Sequence, residues 1–341
     1  MTGRAAAVQG GLAALGLVAA HFTWQREPER APGAVAVIEA NKADVSLVHY
    51  EDDSSSVDLS RGSGNDIPVW LHLVTKPKAD AKPDPKTKTK TPPPRDLPGG
   101  ESAVKLLDGF SPFISPRAFG VLDATKLKEL GLDAPKRKMD VTVKGDIRHY
   151  EIGQPASAPG GESFLRDTHD GRVYLMPRAV LGDLQTAAHL VDRRLHVFEL
   201  ADFDRIVISS GGKQKELVQL DRQSRATAGF APAKTPDKRD QMAKNWHDTL
   251  WRVFPSELLG RGEEPVGGKP NVVVRVDYYD GKSRVGWIEI ARVEANGDGV
   301  SEETAPPTSD TYVRTEHTAG WTKLNAAGQL VGDAQKLIAS P

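Results

Sequence analysis

The stretch Met139–Gly153, MDVTVKGDIRHYEIG, decides the fold. Apolar and polar residues alternate on both sides of Lys144-Gly145-Asp146, a period of two that belongs to strands, and the central tripeptide supplies the turn of a β-hairpin. Working outward, ESFLRDTHDGRVYLM (162–176) continues as strand with a turn at Asp170-Gly171. PRAVLGDLQTAAHL (177–190) then opens a helix with Pro in its first turn. Upstream, ESAVKLLDGF and LDATKLKELGL read as helices, the second with Asp123 as N-cap and Gly131 as its stop. Further upstream, VAVIEA, ADVSLVHY, SSVDLS and IPVWLHLVT (between Val35 and Thr75) are Val-rich and alternating, an early sheet.

The same order then begins again. FDRIVISSGGKQKELVQL (203–220) mirrors the opening strands, a polar loop spans Arg222 to Lys238, and a helix is expected from Asp240 to Leu259. A second hairpin lies in VVVRVDYYDGKSRVGWIEIARV (272–293), and a last strand and helix close the chain. The expected fold is α+β: a duplicated module of mainly antiparallel sheet with packing helices, preceded by one N-terminal hydrophobic helix. Its divisions are 1–33 (anchor or signal, and spacer), 34–200 (first repeat) and 201–341 (second repeat). The Lys/Pro-rich insertion 76–100 cannot bury enough apolar surface to offset its ordering entropy, so it is expected to be a disordered loop.

The N-terminal run Ala5–Trp24 has the length of a bilayer's hydrocarbon core, about 30 Å at 1.5 Å per residue. Val8, Leu12, Leu15, Leu17, Val18, Phe22 and Trp24 would form the anchor, with the two aromatics at headgroup depth. A cleaved export signal and an Ala-rich soluble helix are the competing readings. Flanking arginines leave orientation ambiguous by charge. The long polar remainder favours a single-pass inner-membrane protein with its bulk in the periplasm.

Composition excludes more than it identifies. The 341 residues carry 45 Lys+Arg against 46 Asp+Glu, a net charge of -1, without the basic excess that nucleic-acid binding needs. With no Cys there is no disulfide, thiolate nucleophile or Cys-ligated metal. The nine His show no i,i+3 or i,i+4 pairing, and His72 and His149, on strands, read as hydrogen-bonded residues and not ligands. The acidic HYEDDSSS (49–56) and NGDG (296–299) read as turns. Nucleophile-elbow and phosphate-loop motifs do not occur. No catalytic residue, cofactor or metal site is therefore expected, and the chain is read as a non-enzyme. Among six Trp, Trp246 and Trp251 are the candidate interface residues. Five positions apart, they are separated by about 140° around a helix, so one can face a partner while the other packs.

Finally, ELGLDAPKRKMDVTVKGDIRHYEIG, with Gly131, Leu132, Asp133 and Pro135 before the hairpin, resembles the signature of the bacterial domain of unknown function 4340 family. VYLMPRAVLGDLQ and LVDRRLHVFELADFDRIVIS extend the likeness, over most of Ala34 to Ser210. The Lys-rich insertion and the lack of the Gly-Leu-Asp-x-Pro box in the second repeat depart from the pattern. The resemblance implies a membrane-anchored envelope accessory, often encoded beside gliding-type ABC transporters. Expected partners are then the membrane and other envelope proteins, ABC-transporter subunits among them. By residue chemistry alone the box is a turn: Gly131 ends the helix at positive φ, Asp133 bonds backbone amides, and Pro135 blocks helical continuation. An exported solute- or glycan-binding protein and a hydrolase with an unfamiliar site are the alternatives.

Overall fold

The computed structural model describes residues 17, 32–63, 67–77, 92–155, 161–224, 226–293, 310–325 and 327–340. Of the expected anchor only Leu17 falls among them. Val8, Leu12, Leu15, Val18, Phe22 and Trp24 lie outside, as do NGDG and 78–91 of the insertion. No helix among the described residues is long and apolar enough to cross a membrane.

The first half comprises β1 (Val35–Ile38), β2 (Val45–Glu51), β3 (Ser55–Arg61), β4 (Val69–Thr75), β5 (Arg95–Pro98), α1 (Glu101–Asp108), β6 (Phe113–Ser115) and β7 (Ala118–Val121). It continues with α2 (Ala124–Glu129), β8 (Arg137–Val143), β9 (Asp146–Gly153), β10 (Ser163–Asp167), β11 (Arg172–Met176) and α3 (Arg178–Gln185). The second half comprises β12 (Arg205–Ser210), β13 (Lys213–Leu220), β14 (Gly229–Pro232), α4 (Gln241–Trp251), β15 (Pro255–Leu258), β16 (Asn271–Asp280), β17 (Ser283–Val293), β18 (Asp310–Thr315), β19 (Thr322–Leu324) and α5 (Gly328–Ala339). These are two antiparallel sheets with packing helices, an α+β architecture. The first has the order β5-β4-β3-β2-β8-β9-β10-β11-β7, and the second β14-β13-β12-β16-β17-β18-β19-β15. Leave out the edge strand β5, and the two orders correspond position by position. β1 and β6 pair separately.

Each sheet buries its main core on one face; on the other face of the first, α2 covers the β10–β11 end, where Leu127 packs with Phe164 and Val173. On the first, alternation sends Val48, Tyr50, Val57, Leu59, Leu71, Met139, Val141, Tyr150 and Ile152 against Leu106 and Leu107 of α1 and Leu181 and Leu184 of α3. An irregularity at Ser46 lets Val45 and Val48 both face this core, since pairing jumps from Val45↔Val143 to Leu47↔Thr142. On the second, Ile206, Ile208, Val276, Ile288 and Ile290 meet Trp246 and Leu250 of α4 and Leu330, Val331 and Leu337 of α5.

Three expectations need correction. The helix expected over Asp240–Leu259 stops at Trp251, because Pro255 disfavours helical backbone at Phe254 and opens an edge strand instead. The loop expected over Arg222–Lys238 contains β14, a strand too short to show a period. The insertion's end is ordered: Arg95–Pro98 is β5, paired with β4, and Lys76 at the other end donates to Glu51 (3.2 Å) and to the Asp52 carbonyl (2.8 Å).

The sheets meet along a seam. Arg95 on β5 bridges Glu257 (2.8 Å) and Glu263 (2.9 Å), and the Arg261 amide donates to the Asp96 carbonyl at 3.1 Å. Backbone packs on backbone here, and a Cβ at Gly260 would stand 2.9 Å from the Asp96 nitrogen.

Candidate functional site

The face of the first sheet opposite α1 and α3 carries a row of six residues from six consecutive strands. Asp140 pairs in register with His149 and with His49; Asp58 pairs with His49 and with His72; His72 pairs with Asp96. Read across β9-β8-β2-β3-β4-β5, the row alternates His149, Asp140, His49, Asp58, His72, Asp96. Period-two alternation creates it: His49 sits between Val48 and Tyr50, Asp58 between Val57 and Leu59, and Asp140 between Met139 and Val141, all core residues, so each points outward, and register carries the row on to His149, His72 and Asp96.

Each imidazole is tied through Nδ1 to one carboxylate: His49 to Asp58, His72 to Asp96 at 2.6 Å, and His149 to Asp140 at 2.8 Å. A hydrogen bond at Nδ1 orients the ring and leaves Nε2 as the group available to a visitor. The hydrogen bond to Asp58 raises the affinity of His49 for its proton. Partial burial works against that, while the charges of Asp58, Asp140 and Glu51 add to it. The row ends at the seam, where the Arg261 guanidinium lies 3.9 Å over the Trp70 ring beside His72 and Asp96. Among the described residues no group of three or more His, Asp or Glu could hold a metal ion. Neighbouring imidazoles in the row are two strands apart, about 10 Å, too far to share one ion.

The interface candidates part company. Trp246 is buried, its Nε1 donating to the Leu330 carbonyl at 2.9 Å. Trp251 is half-buried and lies in an aromatic cluster with His196 (ring centroids 5.2 Å apart, planes 10° apart) and His247 (5.5 Å, 23°). Phe198, Phe203, Phe230 and Tyr278 complete it. Beside the cluster a cavity of about 250 Å³ is lined by Gln219, Phe230, Lys244, His247, Asp248 and Trp251. Burial pushes the fully enclosed His247 imidazole down to about 3, so it is neutral at pH 7. On the second sheet's uncovered face, Trp287 packs with Arg275 and Arg314, and Trp321 with Arg314. Among the described Trp, Trp246 is buried, and Trp70, Trp251, Trp287 and Trp321 are half-buried.

The turn motif is structural. The Gly131 amide bonds the Lys128 carbonyl (3.1 Å) and the Leu132 amide that of Leu127 (2.8 Å), the paired bonds of a left-handed helix stop, with Gly131 at φ 67°. Leu132 is fully buried with Phe164 and Val173. Pro135 is half-buried ahead of β8. Asp133 is exposed and makes no hydrogen bond among the described residues, so the backbone bonding expected of it is not seen.

Residues 114–253 match the model of the family described as Domain of unknown function (DUF4340), the family the sequence resembles. The match runs from the end of β6 to just past α4 and so takes in parts of both sheets. It includes the turn motif, Trp246, Trp251, Asp140 and His149, and leaves out the other four residues of the row. No curated protein matches the chain, and no solved structure does.

Proposed function

With the domain of unknown function 4340 match as premise, we propose that this chain is a non-catalytic accessory of a bacterial envelope assembly. It is held in the inner membrane by a single N-terminal segment, has its bulk in the periplasm, and works beside ABC-transporter or gliding-type components. The α+β body is a duplicated module, a reading supported by the shared strand order of the two sheets. One observation carries the functional reading: α1 and α3 cover one face of the first sheet, and the His/Asp row stands on the other, beyond the β10–β11 end where α2 packs, displayed outward and not converged in a cleft. A displayed polar face suits contact with a protein partner; the same groups are too far apart to converge on one substrate atom.

The test is co-purification of the full chain from native membranes after crosslinking from cysteines placed at Thr142 or Ser60, on the row's face. Recovery of one membrane-assembly component supports the reading, and its persistence when the cysteine is moved to the helix-covered side contradicts it. Retention of the full chain in carbonate-washed membranes supports the anchor, and release by carbonate contradicts it.

A second reading, an exported solute-binding protein, is favoured by the aromatic-lined cavity beside Trp251. It requires the N-terminal segment to be cleaved, which N-terminal sequencing of the mature protein decides.

A further inference from the structure

We propose that the row His149-Asp140-His49-Asp58-His72-Asp96 is a proton-binding site centred on His49, through which mild acid changes the charge of the open sheet face. The argument is geometric. His49 on β2 is the one imidazole in the row with a carboxylate in register on both flanks that also has a further imidazole beyond each: Asp58 then His72 on one side, Asp140 then His149 on the other. Neighbouring strands are about 4.8 Å apart, so the two carboxylates lie one strand away and the two imidazoles about 10 Å away. Coulomb energy falls with distance, so attraction by the near carboxylates outweighs repulsion by the far rings.

The remaining charges around His49 do not cancel this. Glu51, two residues along the same strand and on the same face, adds negative potential. It is itself bonded by Lys76 (3.2 Å) and stands in register with Lys138 of β8. At the seam end Arg261 lies over Trp70, on the far side of β3 from His49. His49 is about a third exposed, so a proton from solvent reaches it without any opening of the fold. Taking that proton turns the His49–Asp58 hydrogen bond into an ion pair and removes one negative charge from the face. Any association made through this face then depends on pH, which holds whether or not the partner is an envelope assembly.

The experiment is histidine hydrogen–deuterium exchange on the full chain, read by mass spectrometry from pH 5 to 9, which reports the midpoint of each imidazole separately. Asp58→Asn and Asp140→Asn should each lower the His49 midpoint, Asp58→Asn by more because it also turns the direct charge-assisted hydrogen bond into a weaker neutral-acceptor one. Asp96→Asn, three strands away, should leave it in place. The three sites are on the open face, so the substituted chains keep the core intact, and circular dichroism verifies this. If Asp140→Asn leaves His49 unmoved, the pair acts alone and the row is not a unit. If Asp96→Asn shifts His49 as much as the other two, the effect is general charge and the proposal also fails.

Discussion

Asp192 and His317 are 125 residues apart in sequence and 3.0 Å apart in the structure, carboxylate to Nε2, with both side chains almost wholly enclosed. Arg194 adds a second contact to the same carboxylate at 2.7 Å. The pair ties the linker that leaves α3 to the loop after β18, so it joins the first half of the chain to the second.

Burial alone would make Asp192 hard to ionise. Hydrogen bonds from His317 and Arg194 outweigh it and hold the carboxyl well below the ordinary range. Its contribution is therefore present above the unfolded value, about 4, and is lost as pH falls further. Asp192→Asn should cost about 3 kcal/mol at pH 7, because His317 is left enclosed without its charged partner. Urea denaturation at pH 7 and pH 3 checks this: the variant should lose less between the two than the wild type, and an equal loss would mean the pair does not set the acid limit.

His247 acts in a milder pH range. Its folded value lies near 3, below the unfolded 6.5, so the unfolded chain binds the proton first and stability falls with acid at about 1.4 kcal/mol per pH unit below 6.5. His49 works in the opposite sense: the stability of its raised affinity is present in acid and is lost as pH rises through the folded value. It is a third exposed and screened by solvent, so His247 should dominate. His247→Phe should flatten the dependence between pH 6.5 and 5 in denaturant titrations; an unchanged slope would show that His247 is not what sets it.

Gly260 is constrained by contact. A methyl group there would meet the Asp96 nitrogen at 2.9 Å and the Arg95 Cα at 3.1 Å, backbone atoms that cannot rotate aside. Gly260→Ala should cost about 1–3 kcal/mol and loosen the seam. Limited proteolysis between the two sheets should speed up, and a cleavage rate equal to wild type would place the strain elsewhere.

Trp246 supplies the core and Trp251 the cavity. Trp246→Ala should cost about 3–5 kcal/mol, from lost burial and a Leu330 carbonyl left without its donor. Trp251→Ala, half-buried, should cost clearly less in the same thermal melts. Equal losses would contradict the assignment of one ring to the core and the other to the cavity.

Hairpins, turns and helix caps were legible in the sequence because their signals are local. The alternation across Lys144-Gly145, the Asp123 cap (2.9 Å to the Lys126 amide) and the Gly131 stop all depend on residues within a few positions of one another. The repeated order of elements could be read for the same reason. Short edge strands such as β5 and β14 were not legible, since four residues carry no resolvable period and only a neighbouring strand makes them strands. The His/Asp row was the least visible feature. Its members come from positions 49 to 149, and nothing along the chain aligns them. Strand order and register alone bring His49 between Asp58 and Asp140, because side chains on neighbouring strands meet across hydrogen-bonded backbone and not along it. The face each Trp occupies was decided in the same way: spacing showed that Trp246 and Trp251 diverge, and the packing of α5 against α4 determined which of them lies inside.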